Sequence, residues 1–206
     1  MQFTFSYYGY VKPVFENVSF SFDTNWKTGL IGRNGIGKST LFKLLLNQEV
    51  YKGKISKSVD FIKFPPNLSD TSKLGIELYR ELISDEEEWK LFRELHLLKV
   101  DESLIYRKFE TLSKGEQTKI LLAILFTRED GFLLIDEPTN HLDLESIQAL
   151  NQGLIQFKEN ILFTCHDHQF VQTIANRIIE FNKEGIIDRL STYDEYLEYK
   201  EDLENK

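Results

Sequence analysis

The chain has 206 residues, of which 41% are hydrophobic, and it carries 16 Phe, 9 Tyr and a formal charge of −8. That suffices for one domain, or one domain with a small subdomain, to build a core without disulfides or a structural metal. The acidic balance gives no general electrostatic pull toward nucleic acid or anionic membrane, although it leaves room for a local basic patch. The lone cysteine, Cys165, rules out an intramolecular disulfide and suits a reducing compartment. No apolar run approaches the ~18 residues that span a bilayer, and Met1 to Ser6 lacks the pattern of a signal peptide. The expectation is a cytoplasmic protein without membrane insertion.

In chain order, Phe3, Phe5 and Tyr7 alternate with polar residues and predict a strand; Val18, Phe20 and Phe22 predict a second, and Asp23-Thr24-Asn25 a turn. Leu30-Ile31 is a short apolar run that ends at a glycine. After Ser39, Leu41, Leu44 and Leu45 are spaced as on a helix over Thr40 to Leu46. Ile55 to Phe64 reads as two short strands, broken by Pro65-Pro66-Asn67. From Asp70 to Arg107 the pattern is helical and charged. There Asp85-Glu86-Glu87-Glu88 reads as the acidic first turn of a helix rather than a metal site. A helix is predicted over Gln117 to Phe126, a buried strand over Phe132 to Ile135 and a helix over Leu144 to Phe157. A strand follows over Ile161 to Phe163 and a helix over Phe170 to Ala175. Arg177 to Phe181 and Gly185 to Arg189 are suited to a hairpin, and the tail from Tyr193 is amphipathic. Strands alternating with helices predict an α/β fold with a mainly parallel sheet covered on both faces.

Three stretches carry chemistry. The first is Gly32-Arg33-Asn34-Gly35-Ile36-Gly37-Lys38-Ser39, followed by Thr40. Glycines let the backbone curl so that successive N–H groups point at phosphate oxygens, and the following helix adds its N-terminal dipole. Lys38 suits the β- and γ-phosphates, and Ser39 suits Mg²⁺. At average composition this pattern arises by chance in about 1% of chains of this length. The second is the buried strand ending in Asp136-Glu137. Unpaired buried carboxylates are costly, so the pair belongs at the strand's exposed end beside a cation. Asp136 fits the Mg²⁺ side of a phosphate-loop site, and Glu137 fits a general base that polarises water. Taken alone, the pair fits equally well as two acidic residues capping a turn before Pro138. The third is Leu112-Ser113-Lys114-Gly115-Glu116-Gln117, a capping box with Ser113 as the N-cap and Glu116 three residues on, which leaves a helix N-terminus open to an anion.

These elements, in this order, resemble an ATP-binding cassette (ABC) domain over essentially the whole chain. Leu112 to Gln117 resembles the family's signature loop, with Lys114 where glycine is usual. Pro138-Thr139-Asn140-His141-Leu142-Asp143 resembles the stretch into the D-loop, and Cys165-His166-Asp167 the switch-histidine segment. Tyr7 or Tyr8, ahead of Pro13-Val14-Phe15, resembles the aromatic that stacks on adenine, with Tyr8 the assigned ring. The resemblance implies a phosphate-loop NTPase fold with an antiparallel β part and a helical subdomain inserted at about 68–127, within one domain over 1–206. It implies ATP and Mg²⁺ as ligands, with Ser39 and Asp136 on the metal, and Glu137 and His166 as the catalytic pair. It also implies that Ser113, Gly115 and Asp143 act on nucleotide held by a second cassette. Each motif occurs once, so the second cassette is either another copy or the other half of a twin-cassette protein. Zinc at His166 and His168 is discounted for want of two further ligands, and Cys165 reads as a small buried residue. The resemblance fails at one place: where the family has a glutamine after the strand ending at Phe64, this chain has Pro65-Pro66-Asn67, and proline has no side-chain oxygen for Mg²⁺ or water.

Thr139 to Asp143 resembles the soluble ABC-F branch, whose members carry two cassettes and act on ribosomes; Asp23 to Lys27 followed by Gly29 to Gly35 resembles the first cassette of its antibiotic-resistance, ribosome-protection members, and Tyr193 to Lys200 the point where such cassettes run into the interdomain helix. The short stretch between Pro66 and Thr111 leaves little room for a transporter-style coupling subdomain. The expectation is therefore an ATPase with the ribosome as partner. The alternatives are the ATP-binding subunit of a membrane transporter and an ATP-gated dimerisation switch with little hydrolysis.

Overall fold

The computed structural model describes residues 2–9, 12–19, 21–22, 26–56, 59–83, 87–128, 131–182 and 185–204. Their contacts divide the chain into two units. One comprises Met1–Phe64, Asp130–Glu137 and Glu159–Lys206; the other comprises Pro65–Glu129 and Pro138–Lys158.

The first unit holds two sheets. A three-stranded antiparallel sheet is ordered β2 (Phe15–Ser19), β1 (Gln2–Phe5), β4 (Lys52–Lys54). A six-stranded sheet is ordered β5 (Phe61–Phe64), β6 (Phe132–Asp136), β7 (Asn160–Thr164), β3 (Lys27–Gly32), β8 (Arg177–Phe181), β9 (Ile186–Arg189). Every pairing in the larger sheet is parallel except the β8–β9 hairpin. The central strands are buried on both faces, which explains their continuous apolar runs. Helix α1 (Lys38–Leu45) places Leu41 and Leu44 in the core beside Leu30 of β3. The neighbouring Gly29 faces Val171 and Ala175 instead, on and just after α6 (His168–Ile174). Adjacent strand residues point to opposite faces, so α1 and α6 cover the two sides of β3. Helix α7 (Tyr193–Glu204) packs on β8. Its buried Tyr196 hydroxyl donates to Glu180 Oε2 at 2.5 Å, and Lys200 Nζ lies 2.6 Å from Glu180 Oε1.

The second unit is helical: α2 (Gly75–Leu82), α3 (Glu88–Leu97), a 3₁₀ turn at Glu102–Tyr106, α4 (Lys114–Phe126) and α5 (Leu144–Gln156). Leu122 and Phe126 of α4 pack where a Cβ on Gly153 of α5 would stand, and the rings of Phe126 and Phe157 stack at 4.6 Å. Among the described residues, no helix is long and apolar enough to cross a membrane.

Several elements differ from the sequence-based expectation. The second strand runs from Phe15 to Ser19 and stops before Phe22; Asn17 (φ 48°) bulges it and shifts its register, hiding the alternation of Phe15 and Val18. Of the two strands expected over Ile55 to Phe64, one lies upstream: Lys52-Gly53-Lys54 pairs with β1 without any apolar residue of its own. The helical stretch Asp70 to Arg107 is two helices and a 3₁₀ turn. Helix α4 begins three residues before Gln117, at Lys114. Phe20, the turn Asp23-Thr24-Asn25 and the acidic residues Asp85 and Glu86 lie outside the described residues, whereas Glu87 is the N-cap of α3 and Glu88 stands in its first turn.

Candidate functional site

The parallel strands all leave the sheet at one edge, their C-terminal ends. That edge is where open α/β sheets bind ligands. β3 delivers the loop 32–37 there, β6 delivers Asp136-Glu137, and β7 delivers Thr164 to His166.

The loop runs directly from β3 into α1. Gly32 (φ 143°) must be glycine, because a Cβ there would stand 2.5 Å from the Phe181 carbonyl oxygen on β8. The N-cap of α1 is Gly37, which supplies no side-chain cap. The first-turn N–H groups have no acceptor within the helix either, so they face the loop as donors without competition. Lys38 is buried and its Nζ donates to the Gly32 carbonyl at 2.9 Å, laying its charge across the mouth of the loop. Ser39 is exposed, whereas Thr40 is buried and its hydroxyl lies 3.1 Å from Tyr7 Oη. That contact, and an edge-on packing against Phe5 at 4.8 Å, occupy Tyr7. Tyr8 is fully exposed and its ring is uncovered, which distinguishes the two tyrosines as the sequence could not. A cavity of about 460 Å³ opens beside the first half of the loop, with Arg33, Asn34, Lys38 and His166 in its walls.

The two carboxylates are organised by a residue that the sequence reading missed. Thr164, fully buried at the end of β7, accepts a hydrogen bond from the Glu137 backbone N–H (2.8 Å) and donates its own proton to Asp136 Oδ1 (2.7 Å). No sequence signal marks it, since a threonine ending a strand is ordinary. Glu137 has a left-handed backbone (φ 48°), uncommon for a residue with a side chain. Its Oε1 lies 3.2 Å from His166 Nε2, and its Oε2 is buried with no hydrogen-bond partner among the described residues. Both features cost free energy: about 1–3 kcal/mol for the backbone, and a similar amount for a buried polar atom without a partner. Such costs concentrate at functional sites. His168 pairs with a different carboxylate, Asp194 Oδ1, at 3.1 Å, and Cys165 is buried, its sulfur accepting from the Asp167 N–H at 3.3 Å.

Ser113, Gly115 and Asp143 belong to the other unit. Ser113 caps α4: its hydroxyl accepts from Glu116 N–H at 3.2 Å, and Glu116 Oε2 accepts from Ser113 N–H at 2.7 Å. Gln117, unassigned by the sequence reading, donates from Nε2 to the carbonyls of Phe109 and Leu112, pinning the loop from behind. Gly115 packs against the Glu145 side chain, whose Cδ would stand 3.0 Å from a Cβ there. Asp143 is the N-cap of α5, accepting from Ser146 N–H at 2.8 Å. Hydrogen bonding with Ser146 holds its carboxyl below the usual carboxylate range.

Comparison with known proteins shows the family. The sequence profile of the ABC transporter family matches residues 15–140. The chain is 38% identical over 210 residues to YkpA of Bacillus subtilis (strain 168), named an uncharacterized ABC transporter ATP-binding protein; the match covers 90% of this chain and 36% of that protein. It is 32% identical over 181 residues to ABC transporter F family member 4 of Dictyostelium discoideum, covering 84% of this chain and 16% of that one. The chain thus spans little more than a third of the first relative and less of the second. Among solved structures, an ATP-binding subunit of an ABC transporter superposes with a TM-score of 0.72 at 22% identity, covering 94% of this chain and 89% of that one. At that identity the superposition speaks for the fold alone. The profile match runs from the start of β2 to the turn beyond the carboxylate pair, and on that ground the chain belongs to the ABC transporter family, as an ATP-binding cassette of it.

Proposed function

We propose that the chain binds ATP with Mg²⁺ and hydrolyses the β–γ phosphoanhydride bond once paired with a second cassette, within a cytoplasmic ABC-F type protein that acts on the ribosome. Glu137 carries the hydrolytic part. A carboxylate held with one oxygen on His166, the other buried without a donor, and a strained backbone beneath, is positioned to take a proton from water. The donor set fits the ligands: the open N-terminus of α1 and Lys38 suit phosphates, and a serine hydroxyl and an aspartate are oxygen donors that suit a hard cation. In this reading Gly32 to Thr40 hold the phosphates, with Lys38 on the β- and γ-groups, and Tyr8 offers its free ring to adenine. Ser39 and Asp136 hold Mg²⁺, which when bound neutralises charge on the transferred phosphoryl group. His166 orients Glu137 and contacts the γ-phosphate. Ser113, Gly115 and Asp143 serve nucleotide held by the opposite cassette. The ABC-F branch is supported by its motifs in the sequence and by the F-family relative; the ribosome as partner and an antibiotic-resistance role rest on the resemblance of those motifs.

The Glu137→Gln variant tests binding, pairing and hydrolysis together. It should dimerise with ATP·Mg²⁺ in a sizing experiment while phosphate release drops at least about 100-fold. Unchanged release in that variant sinks the assignment of the base. Pro65-Pro66 after β5 favours a second reading, a slow ATP-gated switch, because neither residue directly after the strand has a side-chain oxygen and Asn67 stands one position late; single-turnover hydrolysis by the unmodified chain separates the two. Co-sedimentation with ribosomes separates both from a transporter subunit.

A further inference from the structure

The overall acidity hides an asymmetry. Positions 1–64 hold nine Lys and Arg against four Asp and Glu, whereas the remainder holds 16 against 29. Part of that positive excess is gathered on the outward face of the antiparallel sheet. Phe3, Phe5 and Phe15 point into the core. Alternation then turns Gln2 and Thr4 of β1 outward, and Gln2 lies opposite Lys54, Thr4 opposite Lys52. The edge strand approaches this closely because residue 53 has no Cβ: one would stand 2.4 Å from the Gln2 carbonyl oxygen. Lys52 and Lys54 are exposed on one face, about 7 Å apart along the strand. Neither makes an ion pair among the described residues, unlike Lys73, Lys90, Arg93 and Lys200. With Gln2, Thr4 and the bulged Asn17 they line a shallow depression of about 410 Å³. Gln2 and Asn17 are hydrogen-bonded to each other, and the Asn17 N–H donates to Thr4 Oγ1. The acidic side chain on these strands is Glu16, at the far edge on β2.

We infer that this face docks on the sugar-phosphate backbone of RNA, with Lys52 and Lys54 as its cationic contacts; the inference rests on the ribosome reading. Two ammonium groups flanked by amides and a hydroxyl match a surface of phosphate and ribose oxygens, which proteins contact through such groups. A lipid surface would call for a larger basic cluster or an inserted apolar side chain, and the three strands turn neither outward. The same lysines also discourage strand addition at the open edge of β4, a role compatible with docking.

The test uses the 206-residue chain with ATP·Mg²⁺, ribosomes and a fluorescent single-stranded RNA, between 50 and 200 mM KCl. In the Lys52→Gln/Lys54→Gln variant, affinity at low salt should fall on the order of tenfold, and the slope of log affinity against log salt should flatten by about one to two. ATP affinity and circular dichroism should match wild type, and Lys52→Arg/Lys54→Arg should retain binding. Wild type that binds ribosomes while the Gln variant keeps the same affinity and slope overturns the inference alone. Wild type that binds neither ribosomes nor RNA overturns the inference and the ribosome reading together. Lysine-dependent binding to phosphatidylserine vesicles without binding to RNA also overturns it, in favour of a membrane.

Discussion

Thr164→Val is the most informative single change in the site. Valine keeps the shape and burial of threonine and removes only the hydroxyl, which sits between Glu137 N–H at 2.8 Å and Asp136 Oδ1 at 2.7 Å. Two groups lose a partner at once. The Glu137 amide makes no other hydrogen bond among the described residues, and a buried donor without a partner costs about 1–3 kcal/mol. That same amide bond also holds Glu137 in its left-handed conformation (φ 48°), so part of the cost can be relieved if residue 137 relaxes toward ordinary backbone. Relaxation would swing the carboxylate away from His166. Stability and catalysis should therefore trade against each other. Either the variant is destabilised by the full amount, about 2–4 °C in melting temperature per kcal/mol at this chain length, or it is nearly as stable and loses turnover at about tenfold per 1.4 kcal/mol. Urea unfolding followed by circular dichroism reads the first, and single-turnover phosphate release reads the second. Thr164→Ser, which keeps the hydroxyl, should retain most of both. If Thr164→Val matches wild type in stability and in turnover, the bridging role of Thr164 is wrong.

Lys38→Ala should weaken ATP binding at least tenfold, by isothermal titration, because it removes the buried cation that spans the loop. Tyr8→Ala should leave the melting temperature unchanged, since the ring is fully exposed, while weakening ATP binding by about 0.5–1.5 kcal/mol of stacking; Tyr7→Phe should instead alter stability through its contact with Thr40. At alkaline pH, burial, helped by the hydrogen bond to Glu180, holds the Tyr196 phenol well above its ordinary range. The unfolded chain then loses this proton near pH ~10 while the folded chain keeps it, so stability declines as pH rises above that point. Tyr196→Phe should flatten this decline in urea unfolding between pH 9 and 11, and an unaltered slope would count against the assignment.

Much of the site could be read along the chain because its parts are contiguous. The candidate phosphate loop would draw its donors from successive backbone amides, so spacing of Gly, Lys and Ser is the whole signal. The capping box at Ser113 and Glu116 is equally local. The run Phe132 to Ile135 announced a strand buried on both faces, and the two carboxylates at its end stood out because such a strand has no other reason to carry them. The hairpin of β8 and β9 followed from two apolar runs beside a glycine. What escaped depends on partners far apart in sequence. Thr164 acts on residues 27 and 28 positions earlier, and nothing within its own segment reports that β6 and β7 are neighbours in register. Tyr7 and Tyr8 are chemically alike, and only packing against Phe5 and Thr40 tells the occupied ring from the free one. Lys52-Gly53-Lys54 has no apolar alternation to mark it as a strand; β1 makes it one by lending a hydrogen-bonding edge. Periodicity in a sequence records which side chains are buried, whereas register, strand order and the strain at Glu137 are set by contacts that exist only once the chain has folded.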